Sequence, residues 1–109
     1  MSTLSTHVLD TMLGKPAAGV GLRLLAGDQV LHEAETDADG RCRTFPMLAP
    51  GRYRLEFSAG AYFRALGLDL PEPPFLDVVP IAFGIAEPDA HIHVPLLISP
   101  YGYSTYRGS

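Results

Sequence analysis

Apolar and polar residues alternate in short runs along most of this chain, and glycine or proline cuts the runs at intervals of about 8–12 residues. "LSTHVLD" (4–10) reads as a first strand, followed by the turn "TMLGKPAAG" (11–19). In "VGLRLLA" (20–26), Val20, Leu22, Leu24 and Ala26 share one face, and "GD" turns that strand into "QVLHEAETD" (29–37). "DADGR" (37–41) reads as a tight hairpin loop in which Asp39-Gly40 supplies positive backbone angles. A strand is expected over 41–48 and another over 52–57, with Tyr53, Leu55 and Phe57 on one face. "GAYFRALGL" (60–68) is the one helix candidate. Strands over 76–85, 91–99 and 101–107 complete the chain. Eight short strands with regular turn signals predict an all-β sandwich of Ig-like architecture.

The side-chain period of two sorts the histidines. On the last long strand Ile92, Val94, Leu96 and Ile98 form the core face, which leaves His91 and His93 on the other with Leu97 and Ser99. On the first strand Leu4, Thr6 and Val8 fall together, with His7 opposite them beside Ser5 and Leu9. His32 sits mid-strand among acidic neighbours and reads as a solvated surface residue.

Composition narrows the function classes. The chain has 109 residues, 47% of them hydrophobic and 18% charged, which fits one globular domain spanning 1–109. A formal net charge of −4, with seven arginines dispersed and Lys15 the sole lysine, gives no basic stripe for nucleic acid. No run approaches the roughly 20 apolar residues of a membrane span. "MSTLSTHVLD" lacks the charged start and apolar run of a secretory signal, so a cytoplasmic protein is expected. The single cysteine, Cys42, reads as a small buried hydrophobe.

Two imidazoles spaced H-x-H on one strand face can converge on a ligand. The spacing suits a zinc site, with His7 as third ligand beside His91 and His93. It suits equally a general base beside an orienting histidine, since imidazole titrates near neutral pH. Arg41 and Arg43 share a face after the loop. Arg43 reads as a solvent-exposed charge, whereas the turn holds Arg41 ready for bidentate binding of a planar anion. "DADG" is similar to part of a calcium loop but lacks the later acidic ligands and the closing glutamate.

The terminal "YGYSTYRGS", the preceding "HIHVPLLISPYG", the opening "LSTHVLD", the intervening "TDADGR" and the turn "GKPAAGV" together resemble the 5-hydroxyisourate hydrolase (transthyretin-like) family of purine catabolism. The resemblance runs from Leu4 to Ser109, and the flush "YRGS" ending is its most specific element. It implies a prealbumin-like sandwich of two four-stranded sheets with one short helix. It further implies a homotetramer, a dimer of dimers, in which the C-terminal tail is ordered by a neighbouring subunit as part of the active-site wall. By the same resemblance His7, Arg41 and His93 are catalytic. Tyr106, Arg107, Gly108 and Ser109 join His7 and Arg41 in binding a small-molecule substrate. The resemblance assigns no role to His91, which stays a supporting or structural candidate. No metal or cofactor is implied. The alternatives are a transthyretin-like carrier without catalysis, a zinc hydrolase on the three histidines, and a β-sandwich adhesion module. Family members occur in cytosol, periplasm and peroxisome, and no peroxisomal Ser-Lys-Leu ending is present.

Overall fold

The computed structural model describes all residues, 1–109. In chain order the elements are β1 (Thr3–Asp10), β2 (Lys15–Pro16), β3 (Gly21–Ala26), β4 (Gln29–Glu35), β5 (Arg41–Cys42), β6 (Gly51–Ser58), α1 (Ala59–Ala65), β7 (Val78–Ile85), β8 (His91–Ser99) and β9 (Gly102–Thr105). One sheet runs β2-β1-β8-β9 with β5 also on β1, and the other runs β4-β3-β6-β7. The five-stranded sheet has four ranks: β2 takes Leu9 and Asp10 along β1, and β5 takes Thr6 and His7 along the same edge. The expected two-sheet sandwich with one short helix is present.

Alternation explains the core. Leu4 and Val8 of β1 and Ile92, Val94, Leu96 and Ile98 of β8 are all buried. They face Leu22, Leu24, Leu55 and Phe57 of the other sheet in one hydrophobic cluster. Each such side chain contributes about 1.5–3 kcal/mol by leaving water. A register shift between Leu24 and Leu25 breaks the alternation of β3, so Leu25 is buried as well and Ala26 is turned only half inward. The helix is shorter than its sequence pattern. Gly67, at φ +87°, ends it as the N–H of Leu68 bonds to the carbonyl of Phe63 and that of Gly67 to Arg64, the Schellman arrangement.

Two expectations fail. Residues 37–41 do not close a hairpin, because β4 and β5 lie in different sheets and the loop carries the chain from one to the other. Only Gly40 has positive φ there, at +74°. Its carbonyl accepts from the Val8 N–H, and a Cβ on it would sit 2.5 Å from the Val8 carbonyl oxygen. Only glycine lets the loop pass so close to β1. The predicted strand over 41–48 ends after Cys42; Pro46, with no N–H, lies in an irregular run that next touches the sheet at the Ser2–Leu48 bridge.

Candidate active site

Three strands of the five-stranded sheet bring the predicted residues together on its outer face. His7 of β1 is the direct cross-strand partner of Arg41 of β5. On the other side β1 pairs in parallel with β8, with Ser5 opposite His93 and Thr3 opposite His91. Residues at the same sheet level share a face, so Thr3, Ser5, His7, Arg41, His91 and His93 all project outward. His7, Arg41 and His93 are half-buried, and His91 is exposed.

Arg41 is held through its backbone. Oδ1 of Asp37 accepts from the N–H of Arg41 at 3.0 Å and from that of Asp39 at 2.9 Å, while the Asp37 N–H donates to the Arg41 carbonyl. These bonds, that from Arg41 foremost, hold the Asp37 carboxyl below its usual pKa. None of the chain's ion pairs involves Arg41 or the clustered histidines. Burial pushes the His93 pKa below the ordinary imidazole value, and the positive charge of Arg41 and of His91 and His7 when protonated pushes the same way. At neutral pH His93 is therefore a neutral imidazole beside a fixed cation.

The C-terminal tail reaches this face from β9. The β8–β9 register, in which Leu96 faces Thr105, continues to a bridge between His93 and Gly108. Between them Pro95 would face Tyr106, and proline has no N–H to complete that pair, which is why β9 ends at Thr105 and the ladder resumes only at Gly108. The Gly108 N–H donates to the His93 carbonyl at 2.9 Å. A Cβ on Gly108 would lie 2.4 Å from Cδ2 of the His93 ring, so backbone and imidazole are in direct contact. The tail is thus tied down within its own chain at Gly108.

The remaining tail residues are open to solvent in the single chain. Tyr106 is 60% exposed, and Arg107 and Ser109 are exposed too. Tyr106 and Arg107 nevertheless line, together with His93, Thr105, Ile81 and Phe83, a groove of about 280 Å³ between the tail and the edge of β7. Neither His7 nor Arg41 lines any of the four principal cavities; their face is open in the single chain.

His32 and the zinc alternative need revision. His32 lies opposite Leu24 on the core side of β4, half-buried, with Nε2 3.0 Å from the Thr44 hydroxyl and its ring edge-on to Phe45. It packs on Phe45 while staying partly exposed, rather than standing free in solvent. No group of three or more His, Cys, Asp or Glu side chains is placed to hold a metal ion, and the inner nitrogens of His91 and His93 are engaged by Ser5. Ser5, Thr3 and Asp37 were missed from sequence; the signal for Ser5 was its place on the His7 face.

A neutral imidazole and a guanidinium on one face, neither in an ion pair, suit a reaction in which a base takes a proton from water while a cation stabilises a developing oxyanion. The HIUase/Transthyretin family model matches residues 4–108. The chain belongs to that family. It is 58% identical to the 5-hydroxyisourate hydrolase of Caulobacter vibrioides over the whole of both chains. Among solved structures, 5-hydroxyisourate hydrolase of Klebsiella pneumoniae aligns over all of both chains with a TM-score of 0.89 and 43% identity. Transthyretin from Sparus aurata aligns with a TM-score of 0.84 and 29% identity, covering 97% of this chain and 96% of that one. No helix is long and apolar enough to cross a membrane.

Proposed function

We propose that this chain is an enzyme that hydrolyses 5-hydroxyisourate to 2-oxo-4-hydroxy-4-carboxy-5-ureidoimidazoline, a step in urate degradation. The observation that carries it is the convergence of His7, Arg41 and His93 on one sheet face, in a chain 58% identical end to end to a 5-hydroxyisourate hydrolase. Water attacks the ring carbonyl carbon as a histidine removes its proton. The C–N bond of the six-membered ring then breaks, and the proton passes to the departing nitrogen. Arg41 holds the substrate oxygens and offsets the charge that develops on the carbonyl oxygen. His7 and His93 handle the proton. Gly108 seats the planar ring close to His93, and Tyr106, Arg107 and Ser109 complete the binding wall when subunits assemble.

The open face supports the assembly part of this reading. A homotetramer, a dimer of dimers of single 1–109 domains, would place a second sheet over each site and exclude water from it. Decay of 5-hydroxyisourate, generated in situ with urate oxidase and followed by ultraviolet absorbance, tests the activity. Acceleration by the wild-type chain and its loss in a chain lacking the last four residues is the expected result. Unaltered decay with the wild-type chain, alongside saturable binding of a small ligand, would establish the carrier instead. Sedimentation gives the oligomeric state, and a monomer at assay concentration with full activity overturns the assembly.

A further inference from the structure

Ser5 carries its hydroxyl between two imidazoles. Its Oγ lies 2.8 Å from Nδ1 of His93 and 3.1 Å from Nε2 of His91, whose Nδ1 is 2.6 Å from the Thr3 hydroxyl. The parallel register of β1 and β8 builds this chain, because it sets Thr3 beside His91 and Ser5 beside His93. Ser5 is buried. A hydroxyl has one proton, so Ser5 donates to one ring and accepts from the other. Two arrangements satisfy the neutral chain. In one, His93 donates from Nδ1 to Ser5, Ser5 donates to Nε2 of His91, and His91 donates from Nδ1 to Thr3. In the other every donor is reversed, and His93 presents a proton rather than a lone pair at Nε2.

The ring itself cannot turn to exchange its nitrogens. Its Nδ1 side is bonded to Ser5 and its Cδ2 side is packed on Gly108, so Nε2 points away from the sheet, over the face shared with His7 and Arg41. The charge on the shared face chooses between the arrangements. Arg41 is a permanent cation on the face over which Nε2 points, and a lone pair there is favoured over an N–H. We propose that Thr3, His91 and Ser5 form a positioning chain that fixes His93 as its Nδ1–H tautomer and leaves Nε2 free to accept the proton of the attacking water. The chain acts through His93 and touches no substrate. Its role in turnover rests on the hydrolase reading; the tautomer does not.

Nitrogen-15 resonances of the His93 imidazole, recorded at a pH where His93 is neutral, test the tautomer directly. The wild-type protein should show a protonated Nδ1 and a pyridine-like Nε2. Ser5→Ala should shift the ring towards the opposite tautomer and lower kcat about 10- to 100-fold with KM little changed. His91→Phe, at an exposed position that does not threaten folding, should do the same to a smaller extent. His91→Gln, which keeps an acceptor for Ser5, should restore the wild-type spectrum and most of kcat. A protonated Nε2 in the wild-type protein, or a tautomer indifferent to both Ser5→Ala and His91→Phe, overturns the proposal. If the wild-type chain fails to turn over 5-hydroxyisourate, the hydrolase reading falls while the spectra still decide the tautomer.

Discussion

The outer faces of the two sheets are built on the same pleat and treat charge in opposite ways. On the four-stranded sheet Arg23 lies across from both Glu33 and Glu56. Its guanidinium reaches Oε1 of Glu56 at 2.6 Å, and Arg54 reaches Oε2 at 3.1 Å. Each partner stabilises the charged form of the other: the Arg23 pKa is raised and that of Glu56 is lowered, each chiefly by the Arg23–Glu56 hydrogen bond. On the five-stranded sheet His7, Arg41, His91 and His93 face outward in no ion pair, the Asp37 carboxylate being taken up by backbone N–H groups, and His93 is pushed towards its neutral form. Charge compensated inside the chain is structurally complete. Charge and basicity left uncompensated are available to a substrate.

Substitutions on the two faces should therefore separate activity from everything else. General base catalysis contributes about 10²–10⁴-fold, and His93→Ala or His7→Ala should lose kcat/KM on that order with the folded state retained. Losses of less than a few-fold for both variants would show that the uncompensated face is not where the chemistry happens. Glycines give a parallel contrast. Gly108→Ala forces a Cβ against Cδ2 of His93 and should lower kcat/KM about 10- to 100-fold by displacing the tail or the ring. Gly21→Ala on β3 meets only the Ser58 side chain at an ordinary 3.7 Å and should leave turnover as it is.

The pH profile sharpens the same point. Burial first, then Arg41, His91 and His7, lower the pKa of His93 from 6.5, so its basic form persists as the pH falls past that value. The acid limb of kcat/KM should lie below 6.5, and a limb at or above it would remove His93 from the role of base.

What the sequence disclosed about these faces follows from which rules are local. Alternation is local, and it correctly separated Ile92, Val94, Leu96 and Ile98 from His91 and His93. Register is not. Ser5 and His93 are 88 residues apart, and only the parallel pairing of β1 with β8 brings the hydroxyl to the ring. The change of sheet at Gly40 was equally hidden. A loop sequence with the composition of a hairpin turn passes against β1 instead, and that passage, not a hairpin, sets Arg41 opposite His7. The proposed trio of His7, Arg41 and His93 was suggested by the family resemblance, while the pairing that brings the three to one face came from tertiary structure.

A buried bond behind the sheets provides a stability change that should leave the face alone. The Tyr62 hydroxyl of α1 donates to Oδ2 of Asp10 at 2.8 Å, and Oδ1 of the same carboxylate accepts from the N–H groups of Met12 and Leu13. Tyr62→Phe strands one buried acceptor and should cost about 1–3 kcal/mol in unfolding free energy with kcat/KM unchanged. Burial, with Asp10 beside it, raises the Tyr62 pKa from 10.0 to about 12. A raised pKa means that the neutral form is favoured in the fold. Its contribution is therefore complete below pH 10 and is lost as the pH climbs through about 12. Denaturant titrations across that window should show the wild-type protein losing stability more steeply than Tyr62→Phe, and equal slopes would place the linkage elsewhere.

The smallest expected effect belongs to the compensated face. Arg23→Ala removes a bridge whose arginine is largely in water, where ion pairs contribute little and salt weakens them further. Glu56 keeps Arg54 as a partner, so no buried charge is orphaned. Tm should fall slightly at low ionic strength, the difference should shrink as salt is added, and kcat/KM should not move. The informative result would be a loss of turnover. It would mean that the two outer faces are coupled through the core they share, and that compensation within one sheet does not isolate it from the chemistry of the other.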